Sequence, residues 1–187
     1  LYGVENMILD TILEPEKTKQ VIKELAQIPL KFAKRQFEAG ADIITWAEHC
    51  TSDLVSAEIY RDFVAPIHRD AVAKLQRYGP LVLHTCGNIM DRLDYIADTG
   101  ICMLHIDSRN DIAKAVEQIG DRVVLTGSIN NPFTLSQGRP SDVCKEVRYN
   151  IKCGIKLISP ECAIPCNVTD ENLFALVETA HQQKYAS

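Results

Sequence analysis

Five short apolar runs punctuate the chain, and each breaks off into polar residues. They occupy residues 41–46, 80–86, 102–107, 122–129 and 155–159. Their hydrophobicity is nearly continuous rather than alternating, which predicts strands covered on both faces. Stretches with helical spacing separate them. A short helix is expected over 5–13, broken by Glu14-Pro15-Glu16. A longer one is expected over 16–39, where Val21, Ile22, Leu25, Ile28, Phe32 and Phe37 recur at helical spacing. Pro29 kinks or divides it, and Gly40 stops it. Further helices are expected over 57–63, with Ser56 as cap, and from Pro66 to Tyr78. Others follow over 90–99, 111–119, 141–153 and 169–184, the last capped by Thr169 or Asp170.

Strands that alternate with helices in this way form a parallel sheet with helices outside. An open doubly wound sheet and a (β/α)8 barrel both satisfy the pattern. Neither a Gly-x-Gly-x-x-Gly fingerprint nor a P-loop follows any of the strands, which removes support for a nucleotide fold. Polar residues gather where strands end: Glu48 and His49, His84 and Cys86, Asp107, Ser128 and Asn130, and Cys162. In a (β/α)8 TIM barrel that rim holds the active site. Five strands do not close such a barrel, so the expectation is a partial barrel. Residues 1–187 then form the C-terminal portion of a single domain, and about three βα units precede them.

Composition narrows the class. Apolar residues make up 46% and charged residues 24% of 187, the balance of a soluble globular domain. The net charge of −5, with no basic stripe, argues against nucleic acid. No apolar run reaches the roughly 18 residues of a membrane helix, so no membrane is expected. The first residues lack a signal-peptide layout, and the absence of an initiator Met suits a fragment. Seven cysteines, an odd count, favour reduced thiols in a cytoplasmic protein over a disulfide framework.

The sharpest chemical signal is Leu81-Val82-Leu83-His84-Thr85-Cys86-Gly87-Asn88. Residues two apart in a strand share a face, so His84 and Cys86 project side by side where the strand runs out. The last strand leads into Pro160-Glu161-Cys162-Ala163-Ile164-Pro165-Cys166, a loop stiffened by two prolines on the same rim. One histidine and two thiolates suit a catalytic zinc site, which keeps a fourth position for substrate. Cys162 and Cys166 both compete for the third place, and His49 and Cys50 are further candidates. Glu48 stands between a catalytic substrate contact and an ordinary rim carboxylate. Asn88 stands between a catalytic hydrogen bond and simple turn chemistry. His105 reads as a core histidine, Asp107 as a possible ligand, Glu161 as a solvated loop charge, and Asp42 and Asp94 as surface groups.

His84-Thr85-Cys86-Gly87-Asn88 resembles the His-x-Cys-Gly-Asn motif of one branch of the uroporphyrinogen-decarboxylase superfamily, the branch with the methylcobamide:coenzyme M methyltransferases. Gly40-Ala41-Asp42 is similar to that superfamily's entry to a strand. The stretch from Ser56 to Pro66 is similar to its Ser-Pro-x-x-Tyr-x-x-Phe-x-x-Pro helix, with Ala57 replacing proline. The segment from Leu125 to Pro132 resembles its Gly-Asn-x-Asp-Pro loop, with Ser128 and Asn131 departing. Pro160 to Pro165 resembles the methyltransferase Pro-Gly-Cys-Gly-Ile-Pro loop, with both glycines replaced.

The resemblance implies a (β/α)8 barrel and a zinc ion on His84, Cys86 and Cys162, with a carboxylate near Asp107 as an exchangeable fourth ligand. It implies methyl transfer between a corrinoid and a small-molecule thiol such as coenzyme M. No Asp-x-His-x-x-Gly corrinoid motif occurs here, so a separate corrinoid protein is the expected partner. The same scaffold serves demethylases of methoxy or methylamine compounds. True decarboxylases carry a histidine in the loop at Cys162 and lack the His-x-Cys pair. A porphyrinogen decarboxylase and a non-catalytic partial barrel are the alternatives.

Overall fold

The computed structural model describes residues 2–182. Three helices come first: α1 (Val4–Leu13), α2 (Pro15–Leu25) and α3 (Gln27–Glu38). Five strands follow: β1 (Ile44–Glu48), β2 (Leu81–Thr85), β3 (Met103–Ile106), β4 (Val124–Ile129) and β5 (Leu157–Pro160). All pair in parallel, and their order across the sheet is their order along the chain. A doubly wound sheet reverses direction at a switch point. This one does not, and so forms an arc of a (β/α)8 barrel. Helices α4 (Ala57–Ile59), α5 (Ala65–Leu75), α6 (Leu93–Ala97), α7 (Ile112–Ile119) and α8 (Pro140–Cys153) fill the connections, and α9 (Asp170–Gln182) follows β5. The expected end of the last helix at Lys184 lies outside the described residues.

The long N-terminal helix is divided, but at Ala26 rather than at Pro29. Proline lacks the N–H that would bond the carbonyl four residues back, and its ring crowds that carbonyl. The break therefore falls just after Leu25, and Pro29 rides in the first turn of α3. Pro66 is accommodated differently. A π-helical turn, Tyr60–Val64, joins α4 to α5, and Ala65 N–H reaches back to Tyr60 O. The first strand is also displaced from its expected place. Ala41 N–H still bonds Gln36 O to close α3, so pairing begins only at Ile44. The expected caps form at Ser56 and Thr169, which accept from Ile59 and Asn172 N–H groups, and Asp111 caps α7 by accepting from Lys114 N–H.

The principal core lies between the sheet and its helices. It gathers Ile44, Tyr60, Leu75, Leu83, Ile96, Leu104, Ile106 and Ile119, all buried. A second cluster of Ile129, Leu135, Val143, Val147 and Leu176 joins β4 to α8 and α9. Two buried polar clusters on the helix side are hydrogen-bonded. Arg92 is fully enclosed and donates to Cys50 O and Val55 O, each at 2.8 Å, and to Asp91 at 2.9 Å. Tyr60 Oη lies 2.9 Å from His68 Nδ1.

The β4 end is kinked by consecutive positive φ angles at Gly127 (96°) and Ser128 (63°), and Ser128 Oγ turns to bond Asn150 on α8. A Cβ at Gly127 would stand 2.5 Å from Ile106 O, so the β3–β4 ladder requires glycine there. Gly127→Ala is expected to lower stability by about 2 kcal/mol or more, read as a lowered urea midpoint. An unchanged midpoint would refute this close approach. Burial lowers His68 to about 4 from 6.5. Its neutral form is favoured in the fold, so its contribution is complete above pH 6.5 and is lost as pH falls toward 4. That amounts to about 3 kcal/mol of pH-dependent stability. His68→Gln, which keeps an acceptor for Tyr60, should flatten the stability-versus-pH slope in this interval.

Candidate metal centre

Parallel register sets the site. Ala47, His84, His105, Thr126 and Leu157 stand in one row across the five strands. Their side chains therefore share the sheet face turned away from the helices. His84 leaves β2 on this face, and Cys86 follows two residues later. Gly87, at φ 139°, makes the turn beneath Thr51, whose Cγ2 would lie 2.6 Å from any Cβ at that position. Asn110 fastens this turn from the next loop: it accepts from Ile89 N–H and donates to Gly87 O and Asp107 O.

The loop after β5 brings Cys162 to the same place. The ligand atoms of His84, Cys86 and Cys162 all lie within 4.8 Å of one another. Cys162 Sγ is 3.5 Å from His84 Nε2. Zinc–sulfur and zinc–nitrogen bonds of their usual lengths put tetrahedral ligand atoms about 3.6–3.8 Å apart. The donor set, its chemistry and its spacing therefore fit a zinc ion with a free fourth position.

The other ring nitrogen of His84 is also engaged: Nδ1 lies 2.6 Å from His105 Nδ1. Donation from His84 Nδ1 to His105 Nδ1 is the tautomer that leaves the His84 Nε2 lone pair facing the sulfurs, as metal ligation requires. Burial lowers the pKa of both histidines, favouring the neutral imidazole that ligates metal. Burial pushes the Cys86 thiol up to about 12, with Cys162 and Asp107 adding to the effect. A bound cation inverts that balance and draws off the proton.

Asp107 is buried beside the cluster. The Cys86 thiol donates to its Oδ2 at 3.7 Å, and Arg109 holds the carboxylate through its backbone N–H and guanidinium. The remaining candidates separate. Cys166 is exposed and stands outside the three-donor group. His49 is exposed; Cys50 packs on the helix side, where burial raises its thiol to about 12. Glu48 pairs in register with Thr85, not His84, so it points to the opposite face of the sheet. There it accepts from Thr85 Oγ1 and Cys50 N–H, and burial raises its carboxyl pKa. Asn88 uses its side-chain oxygen to accept from Met90 N–H, a local turn contact. Asp42 and Asp94 are exposed, as expected.

The expectation for Glu161 is overturned. Glu161 is not a solvated charge: it is 6% exposed and accepts from Ser108 N–H and Asn131 N–H, each at 2.9 Å. Glu161 and His105, as the partner of His84, are the residues that sequence reasoning missed. For His105 a signal existed, since it shares a strand face with Asp107.

Comparisons with known proteins agree with this fold. The chain is 30% identical over 193 residues to the methylcobamide:CoM methyltransferase MtaA of Methanosarcina barkeri, covering 100% of this chain and 55% of that protein. It is 30% identical over 181 residues to a methylated-thiol–coenzyme M methyltransferase of Methanosarcina mazei, covering 96% and 48%. A solved structure of a methyltransferase from Methanosarcina mazei superposes with a TM-score of 0.91 at 27% identity, over 97% of this chain and 54% of that one. The chain thus spans about half the length of these relatives. The model of the family described as Uroporphyrinogen decarboxylase (URO-D) matches residues 1–183, and the chain belongs to that family.

Proposed function

We propose that the chain is the C-terminal portion of a (β/α)8 enzyme that moves a methyl group between a corrinoid and a thiol such as coenzyme M. The observation that carries this reading is the three-donor cluster of His84, Cys86 and Cys162 on the rim of the sheet. A porphyrinogen decarboxylase has no need of such a cluster. The relatives named as methylcobamide:CoM methyltransferases support the same chemistry. The corrinoid arrives on a separate corrinoid protein. Seven free thiols suit a reducing cytoplasm, and no helix among the described residues is long and apolar enough to cross a membrane.

Zinc, when bound, deprotonates the substrate thiol and orients it. The protein groups prepare that event. His84 offers Nε2 because His105 fixes its other nitrogen. Cys86 and Cys162 supply two negative charges, which keep a neighbouring substrate sulfur electron-rich. Asp107, restrained by Arg109, is the exchangeable carboxylate beside Cys86. Gly87 and Asn88 aim Cys86 through the turn.

Exposure on the inner face supports the partial-barrel reading. Val124 and Leu157 lie in the rows of Val82 and His84 and are 39% and 49% exposed. Thr45 and Ala47, on the same face of β1, are also exposed. Residues in these positions fill the interior of a closed barrel. Three further βα units, pairing with β1 and β5, would cover them.

The purified chain is expected to hold about one zinc per molecule by elemental analysis. His84→Ala and Cys162→Ala should each weaken zinc binding by about a hundredfold or more. In a barrel completed by the remaining units, both should abolish thiol-dependent consumption of methylcobalamin. Folded wild-type protein without zinc would overturn the methyltransferase reading and favour the decarboxylase.

A further inference from the structure

Cys162 differs from the other two donors in how it is held. His84 belongs to β2 and Cys86 follows that strand directly, whereas Cys162 lies in the loop beyond β5. Four hydrogen bonds bracket it. Glu161 N–H donates to Ile129 O at 2.9 Å. The Glu161 carboxylate accepts from Ser108 N–H through Oε2 and from Asn131 N–H through Oε1, both at 2.9 Å. On the far side, Asn131 Nδ2 donates to Ala163 O at 2.9 Å. Ser108 follows β3 and Asn131 follows β4, so one buried side chain ties the loops of three consecutive strands together.

The geometry points to Glu161 as the positioning residue for Cys162. Glu161 lies outside the three-donor group. Its two oxygens are spent on backbone N–H groups whose places are set by β3 and β4. The adjoining residue is therefore presented at a fixed height above the sheet. Charge-assisted bonds to backbone N–H groups are stronger than neutral ones, which suits a group that must restrain a loop. Glutamine cannot replace it: one of its two terminal atoms is a donor and would face an N–H. Asn131 completes the bracket from the opposite side. Glu161 and Asn131 are also positions where this chain departs from the motifs it resembles, so the bracket is built from this chain's own residues.

The inference rests on the reading of Cys162 as a metal ligand, and the test separates the two. In the metal-free chain, a thiol-bridging reagent such as dibromobimane is expected to join Cys86 to Cys162, identified by peptide mass spectrometry. Glu161→Gln should slow this bridge severalfold while the thermal midpoint still shows a folded protein. Asn131→Ala, a smaller lesion that leaves the carboxylate in place, should slow it less and in the same direction. It also serves if Glu161→Gln does not fold. In the metal-loaded chain, Glu161→Gln should weaken zinc binding about 10–100-fold. It should also reduce the thiolate-to-metal charge-transfer band of the cobalt(II) form, a signal that general destabilisation would leave in place. Equal bridging rates in wild type and folded variants would overturn the role of Glu161, as would unchanged zinc affinity and an unchanged cobalt band. A wild type that binds no metal, yet bridges faster than its variants, would overturn the zinc reading and uphold the bracket.

Discussion

The alignment of five strands in one register governs everything else in this molecule. It places His84 level with His105 and brings the strand ends to one height, where their loops meet. A slip of one residue in β2 would send Leu83 and Thr85 to the open face and bury His84 among the helices. The glycine at 127 protects the register locally, because β4 can approach Ile106 so closely only without a side chain. The chemistry of the site is thus inherited from backbone pairing rather than assembled by loops alone.

The two faces of the sheet divide the polar work. On the helix side, Arg92, Glu48, Thr85 and the backbone at Cys50 and Val55 form a closed set of hydrogen bonds. That set fixes the loop between β1 and α4, and through Ser52 and Asn88 it steadies the turn after Cys86. On the open face, His105, Asp107 and Glu161 each hold one donor or its neighbourhood. Three such groups thus stand behind the three clustered donors.

Much of this was legible in the chain. Apolar runs ending in polar residues gave the strands, and glycines and proline-flanked loops gave their limits. The spacing of His84 and Cys86 placed two donors on one face. The remainder depended on facts that local sequence does not contain. The displacement of β1 came from how α3 closes, since β-rich composition is blind to register. Glu48 was assigned to the rim because it ends a strand, but which face it took depended on pairing with Thr85 rather than His84. Glu161 looked solvated because a loop carboxylate usually is. Its burial follows from two N–H groups contributed by distant residues, Ser108 and Asn131, and no short window of sequence reveals that.

The agreement between strand order and chain order has a kinetic meaning. Every ladder joins neighbours along the chain, and Val82, Met103 and Val124 stand at equal intervals. Loop-closure entropy grows only slowly with length, so each added strand meets a similar, modest barrier, and growth from the middle of the sheet is open to this topology. The chemistry does not share that gradual growth. His84 and Cys86 come together as soon as β2 ends, but their third companion arrives only with the fifth strand and the loop beyond it. A partly folded chain can therefore own most of its sheet and still lack the assembled three-residue cluster.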